Sequence, residues 1–337
     1  MTGKKTYGVA VVGATGAVGQ EMISILEERN FPVRFLKLMA SSRSKGKTVL
    51  FASEEHAVED LEGQSFRELD IILSSAGAAV SRRFVPQAVR EGAVVIDNTS
   101  AFRMDPDVPL VIPEVNAEDI RSHRGVIANP NCSTIVMAVP LWPLHQRARI
   151  RRIAVATYQS VSGAGARAIS ELTRQSQEFL DGRPIAKEVF PHQIAFNLFS
   201  HNSPVRDDGY NEEEFKMMNE TRKIFHDPKI RVAAMCVRVP VYRAHSEAIF
   251  AQFERKIGRV EAREILSRSP GVRVVDDPVK GHFPMPIEAS HKDDILVGRI
   301  REDLSQDQGI ALFVSGDQLR KGAALNAVQI AEWLIAH

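Results

Sequence analysis

The stretch Val9-Ala10-Val11-Val12-Gly13-Ala14-Thr15-Gly16-Ala17-Val18-Gly19 decides the fold of this 337-residue chain. A strand-sized apolar run passes through three glycines into residues 17–30, where Val18, Met22, Ile25 and Leu26 recur at helical spacing. Glycines between a strand and a helix allow a tight turn. They also let backbone N–H groups at the helix N-terminus approach a pyrophosphate. The spacing is GxxGxxG rather than GxGxxG, and a glycine-rich turn that serves packing alone is the competing reading. Working outward, Phe31-Pro32 stops the helix and residues 33–40 read as the next strand. Short apolar strands at 70–74 and 93–97 flank a helix at 80–90. The βαβ order predicts an α/β, Rossmann-type domain with a parallel sheet.

The end of the second strand bears on the cofactor. A dinucleotide fold that takes NAD commonly places an acid about 20 residues beyond the glycine turn, for the ribose 2′-OH. Here the chain reads Met39-Ala40-Ser41-Ser42-Arg43-Ser44, with no carboxylate. A guanidinium among serine hydroxyls suits a 2′-phosphate, so NADP/NADPH is expected over NAD; a solvated arginine in a polar loop is the alternative.

Beyond residue 131 the strand candidates, at 153–159, 232–240, 247–253, 295–300 and 310–315, are longer and alternate. One face of such a sheet packs and the other meets water or a partner. With helices at 165–180, 212–225 and 260–266 this reads as an α+β domain. Residues 321–336 carry an apolar stripe (Leu325, Val328, Ala331, Leu334) that fits a helix returning to the first domain. The expected partition is 1–131 plus 319–337 for dinucleotide binding and 132–318 for catalysis and dimerisation.

Forty-three Lys and Arg against 42 Asp and Glu give no electrostatic case for a nucleic-acid partner. No apolar run is long enough to span a bilayer. Met1-Thr2-Gly3-Lys4-Lys5-Thr6 lacks a signal-peptide core, and two cysteines make no disulfide framework, so a cytoplasmic location is expected. No paired Cys/His spacing suggests a metal.

One of the two cysteines sits in Asn129-Pro130-Asn131-Cys132-Ser133-Thr134, between an apolar strand and a helical segment at 134–142. A thiol at a helix N-terminus is biased toward the thiolate, the form that attacks carbonyl carbon. A buried small hydrophobe is the bland alternative, and Cys236, in an apolar strand, fits that role. His245, read as a loop residue after an apolar strand, is a candidate acid/base because an unperturbed imidazole titrates near working pH.

These pieces, with Asp97-Asn-Thr-Ser-Ala-Phe-Arg103-Met104, Pro113-Glu-Val-Asn116, Tyr158-Gln159-Ser-Val-Ser162-Gly163-Ala-Gly165, Arg238-Val-Pro-Val241, Ala244-His245-Ser246 and residues 321–331, run in order along almost the whole chain. Together they resemble the aspartate-β-semialdehyde dehydrogenase family. The resemblance implies reversible, NADPH-dependent reductive dephosphorylation of L-4-aspartyl phosphate to L-aspartate 4-semialdehyde through a Cys132 thioester. The pathway implied leads to lysine (through diaminopimelate), threonine, methionine and isoleucine. Small-molecule substrates and a homodimer follow from the same resemblance.

It also implies roles. His245 is the acid/base and Gln159 orients the substrate. Arg238 holds the substrate α-carboxylate, and Glu213 meets its amino group. Arg103, Lys216 and Asn131 bind phosphate. Gly13, Ala14, Thr15, Gly16, Ala17, Val18, Ser41, Ser42, Arg43, Ser44, Ser162, Gly163 and Asn326 contact the cofactor. Without the resemblance, Gln159, Ser162, Gly163 and Asn326 read as structural, and Glu213 with Lys216 reads as a surface ion pair. One departure is Ala244, where many members carry glycine.

The nearest rival, N-acetyl-γ-glutamyl-phosphate reductase, usually reads Asn-Pro-Gly-Cys-Tyr around its cysteine. The Ser-Cys-Thr-Thr-Asn motif of glyceraldehyde-phosphate dehydrogenases is absent. A non-catalytic paralogue acting as a binding or scaffold protein is a third reading, against which Cys132 and His245 are both retained.

Overall fold

The computed structural model describes residues 5–337; residues 1–4, part of the stretch read for a signal core, lie outside it. The chain forms two compact units, one ending at Pro130 and resuming at Ala323–His337, the other spanning Asn131–Gly322. The expected junctions were 131/132 and 318/319.

The first unit runs β1 (Tyr7–Val12), α1 (Ala17–Glu28), β2 (Val33–Ala40), β3 (Thr48–Phe51), β4 (Glu54–Asp60), β5 (Ile71–Ser74), α2 (Ala78–Arg90), β6 (Val94–Asp97), α3 (Pro113–Asn116) and β7 (Val126–Ala128). Its sheet has the order β3-β4-β2-β1-β5-β6-β7 and is parallel except at the β3–β4 hairpin. Strand alternation splits the core in two. Val9 and Val11 pack on the side of α1, while Ala10 and Val12 pack with Phe84, Val85 and Ala88 of α2. The hairpin was not anticipated. Thr48–Phe51 and Glu54–Asp60 form the sheet edge, are mostly solvated, and so lack an apolar pattern.

The second unit holds α4 (Cys132–Ala148), β8 (Ile150–Gln159), α5 (Ala166–Leu180), β9 (Phe199–Ser200), α6 (Glu212–Ile224), β10 (Arg231–Arg238), β11 (His245–Phe253), α7 (Arg259–Ser267), β12 (Val272–Val274), α8 (Pro286–Ala289), β13 (Ile295–Glu302) and β14 (Gly309–Gly316). The sheet is mixed, in the order β12-β13-β14-β11-β8-β10-β9, with β8 parallel to β10 and antiparallel to β11. Helices α4, α6 and α7 pack against it. On the opposite face Tyr158, Met235 and Phe250 remain exposed. His245 is the first residue of β11, in register with Gly316, rather than a loop residue as expected. Helix α4 runs on past residue 142, through Pro140 and Pro143, to Ala148.

The last helix, α9 (Leu325–Ala336), returns to the first unit as its stripe suggested. Leu325, Val328 and Ala331 share the core of β1 and α1, and Glu332 pairs with Arg29 at 2.7 Å. It starts four residues later than expected, because one wide turn of π-helix occupies Arg320–Ala324.

Candidate active site

In the first unit the glycine turn is built as its spacing requires. Gly13 adopts φ +88°, and its N–H and that of Ala14 donate to Met39 O at 2.8 and 3.1 Å. A Cβ on Gly19 would lie 2.2 Å from Gly13 O, so only glycine lets helix and turn touch here. Helix α1 begins at Ala17 with Gly16 as its N-cap and no side-chain cap, leaving first-turn N–H groups for a ligand. The turn opens on a groove of about 510 Å³ lined by Gly13, Thr15, Gly16, Ser41, Ser42 and Arg43, and by Ser75 and Ala76 from the end of β5. The ends of β1 and β5 are where an open parallel sheet of this order binds its ligand. Thr15 Oγ1 meets Ser44 Oγ at 3.0 Å, tying the two loops together.

Three charged residues in this groove were not foreseen: Arg83, Asp60 and Glu62. No acid follows β2 in sequence, yet the sheet sets Asp60 of β4 in register with Ala40. Ala14 is buried, and Ala17 and Val18 lie in the first turn of α1, with Val18 against the core. Arg103 is fixed by Asn129 O (2.9 Å from Nε) and Asn98 O (2.8 Å from Nη2). Asn326 is fully buried, its amide donating to Val111 O at 2.9 Å and to Asn129 Oδ1 at 2.7 Å.

In the second unit Cys132 is the first helical residue of α4 and is partly accessible. Asn131 is the N-cap: its Oδ1 accepts from Ser133 N and Thr134 N at 2.9 and 3.2 Å. Its Nδ2 donates to Glu213 Oε1 at 2.7 Å and its N–H to Glu220 Oε2 at 2.7 Å. Asn131, expected at phosphate, is thus held within the unit as the cap of the cysteine's helix. Gln159 Nε2 donates to Ser133 Oγ at 3.0 Å, and Lys216 pairs with Glu213 at 3.6 Å. Gly322 approaches so closely that an added Cβ would sit 3.1 Å from Cys132 Cβ.

Arg238, at the end of β10, donates from Nη1 to Ser160 O at 2.7 Å and from Nη2 to His201 Nε2 at 2.8 Å; its Nε is buried without a partner. His245 is fully buried. Its Nδ1 accepts from Ser160 N–H at 3.0 Å, which puts the proton of the neutral ring on Nε2, a buried atom without a partner. Burial, then the charge of Arg238, then His201, holds its pKa well below the usual value. The expectation of an unperturbed imidazole is therefore wrong: in this setting the ring is neutral at working pH. A Cβ on Gly163 would lie 3.2 Å from His245 Cε1 and 3.3 Å from Arg238 Nη1, so the glycine keeps space between these two groups. Ser162 is buried, its Oγ accepting from Gln318 Nε2.

Ala244 holds φ +70°, the region that favours glycine, with its N–H donating to Gln318 Oε1 at 2.8 Å. Its methyl packs with Val275, Ala289 and Leu296, which offsets part of that strain. Cys236 is buried against Met217 and burial pushes its thiol up, as befits a packing residue. Among the described residues no group of three or more His, Cys, Asp or Glu side chains is set to hold a metal ion. Sequence reasoning missed His201, Ser160 and Gly322. His201 and Ser160 lie in polar loops without periodicity, which carry no signal of which atom they face, and Gly322 lies in the π-helical turn, which has no pattern of its own.

Residues 8–123 match the family model described as semialdehyde dehydrogenase, NAD binding domain. Residues 141–321 match semialdehyde dehydrogenase, dimerisation domain. Two-domain semialdehyde dehydrogenases are thus the class that fold and thiol site define. Aspartate-semialdehyde dehydrogenases from Synechocystis sp. and Aquifex aeolicus are each 52% identical, over 97% and 98% of both chains. The crystal structure of aspartate semialdehyde dehydrogenase II from Vibrio cholerae, complexed with ASA, superimposes with a TM-score of 0.97 at 46% identity, covering 99% of each chain. The chain belongs to the aspartate-semialdehyde dehydrogenase family.

Proposed function

We propose that this enzyme interconverts L-4-aspartyl phosphate and L-aspartate 4-semialdehyde with NADP/NADPH, through a thioester on Cys132. The observation that carries the reading is the thiol at the first turn of an N-capped helix, in a unit where Arg238 and His245 each leave a buried nitrogen unpaired. In the oxidative direction the Cys132 thiolate adds to the aldehyde carbon. His245 Nε2–H donates to the hemithioacetal oxygen. A nicotinamide cofactor held at the glycine turn would supply the hydride acceptor for that carbon, whose oxidation gives the thioester. Phosphate oxygen then attacks the acyl carbon, forming aspartyl phosphate and releasing the thiolate. Arg238 takes the substrate α-carboxylate, whose charge offsets the guanidinium that helps depress His245. Glu213 takes the amino group and Gln159 orients the acyl group. Arg103 and Lys216 are the cations assigned to phosphate.

Arg43, exposed beside the serines, supports NADP, joined by Arg83; Asp60 and Glu62 in the same groove oppose a 2′-phosphate. Two arginines that can fork onto phosphate tip the reading to NADP. The exposed apolar residues Tyr158, Met235 and Phe250 on one sheet face support a homodimer built on that face. No helix among the described residues is long and apolar enough to cross a membrane, and the pathway and two free cysteines fit a cytoplasmic setting.

The test is NADPH formation from L-aspartate 4-semialdehyde, with phosphate and then without it, and with NAD in place of NADP. Rapid, phosphate-dependent turnover that prefers NADP is expected. Turnover indifferent to phosphate sinks the acyl-phosphate step, and equal kcat/KM for NAD sinks the role of Arg43.

A further inference from the structure

Arg238 is held from two sides, and one of its holders is a histidine that the reaction scheme does not use. His201 follows β9, whose Phe199 and Ser200 pair with Arg238 and Val237. Its backbone N–H is fixed by Cys236 O at 2.8 Å. Its Nε2 lies 2.8 Å from Arg238 Nη2. A guanidinium has donors only, so Nε2 must be the bare nitrogen and the ring proton must sit on Nδ1. There it faces Ser203 Oγ at 3.1 Å. Ser203 N–H also points at Nδ1, 3.2 Å away, and favours the opposite tautomer; the shorter, charge-assisted 2.8 Å contact from Arg238 decides for a bare Nε2. Ser203 Oγ in turn accepts from Glu213 N–H at 3.2 Å. One chain, Arg238–His201–Ser203–Glu213 N–H, therefore joins Arg238 to the backbone of Glu213, the two residues assigned to the carboxylate and amino group on the substrate's α-carbon.

We infer that His201 is a positioning residue: as a neutral acceptor it sets the guanidinium plane of Arg238 for the substrate carboxylate and couples it to Glu213. The inference rests on the proposed role of Arg238. A protonated ring would set two donors against each other across the 2.8 Å contact. Consistently, the His201 pKa is lowered to about 4, by burial first and by Arg238 and Lys216, with Glu213 acting the other way. The ring thus keeps its acceptor through the neutral range.

The test compares KM for L-aspartate 4-semialdehyde, phosphate and NADP in the parent and in four variants. His201→Leu removes the acceptor. His201→Gln places an amide oxygen where Nε2 was, whereas His201→Asn reaches only as far as Nδ1. Arg238→Leu checks the underlying reading. His201→Leu and His201→Asn should raise KM for semialdehyde about tenfold, the scale of one lost hydrogen bond to a charged group, with the other two KM values within about twofold. His201→Gln should recover most of the loss. If His201→Leu does not fold, the Gln and Asn pair carries the same contrast. An unchanged semialdehyde KM in Leu and Asn, a parallel rise in all three KM values, or Gln as damaging as Asn overturns the inference. If Arg238→Leu also leaves semialdehyde KM unchanged, the reading of Arg238 falls and takes this one with it. If Arg238→Leu raises it while the His201 variants do not, this inference alone fails.

Discussion

At positions 245 and 247 strand β11 buries two ionisable side chains on one face, and burial pushes both toward their neutral forms. His245 is driven down and Glu247 well up. Both carboxyl oxygens of Glu247 are buried without a hydrogen-bond partner, and its backbone is in register with Thr157 of β8. The sign of its pH effect follows. The folded chain keeps a proton that the unfolded chain releases above the ordinary carboxyl value of 4.5. The stabilisation is complete below that value and is lost as pH rises toward the folded pKa, by about 1.4 kcal/mol per pH unit. His245 acts oppositely, losing stability as pH falls below about 6.5, but it is common to parent and variant. Glu247→Gln should therefore gain in Tm over the parent as pH rises from about 5 to 8. Parallel Tm curves would show that Glu247 ionises freely. None of this was legible in sequence, because the two residues read only as polar positions around the start of an alternating strand.

At the scale of elements the decisive piece is the turn from Asn131 into α4. The sequence reading placed a helix after Cys132, proposed that thiol as nucleophile and assigned Asn131 to phosphate. The structure spends its side chain on Ser133 N, Thr134 N and Glu213. Asn131→Ala should cost at least about 1 kcal/mol for the cap alone, read as a lower urea midpoint at unchanged m-value. A midpoint equal to the parent's would mean that the helix holds without it. The strands and helices of the first unit were legible to within a few residues, since apolar period and glycine punctuation agree there. The β3–β4 hairpin was not, because edge strands with solvated faces lose the pattern that marks a buried one. Asp60, at the end of β4, and Glu62, just beyond it, line the groove at the glycine turn.

For the whole molecule, the order of motifs along the chain carried the family, whereas assembly is written in surfaces. Met235 is 67% exposed in the midst of β10, with Tyr158 exposed on adjacent β8 and Phe250 on β11 beyond it. A charge there should be tolerated by the isolated unit and rejected by a dimer interface. Met235→Asp should shift the mass measured by light scattering from two chains to one, with secondary structure kept. A dimer that persists at low micromolar concentration would move the interface elsewhere. The thioester claim is tested most directly by mixing the enzyme with L-aspartate 4-semialdehyde and NADP in the absence of phosphate, then quenching in acid for intact-mass and peptide mass spectrometry. One aspartyl group per chain is expected on the Cys132 peptide, with a matching burst of NADPH, discharged when phosphate is added and missing in Cys132→Ser. A full NADPH burst with Cys132 unmodified, or the same adduct in Cys132→Ser, would contradict the thioester claim.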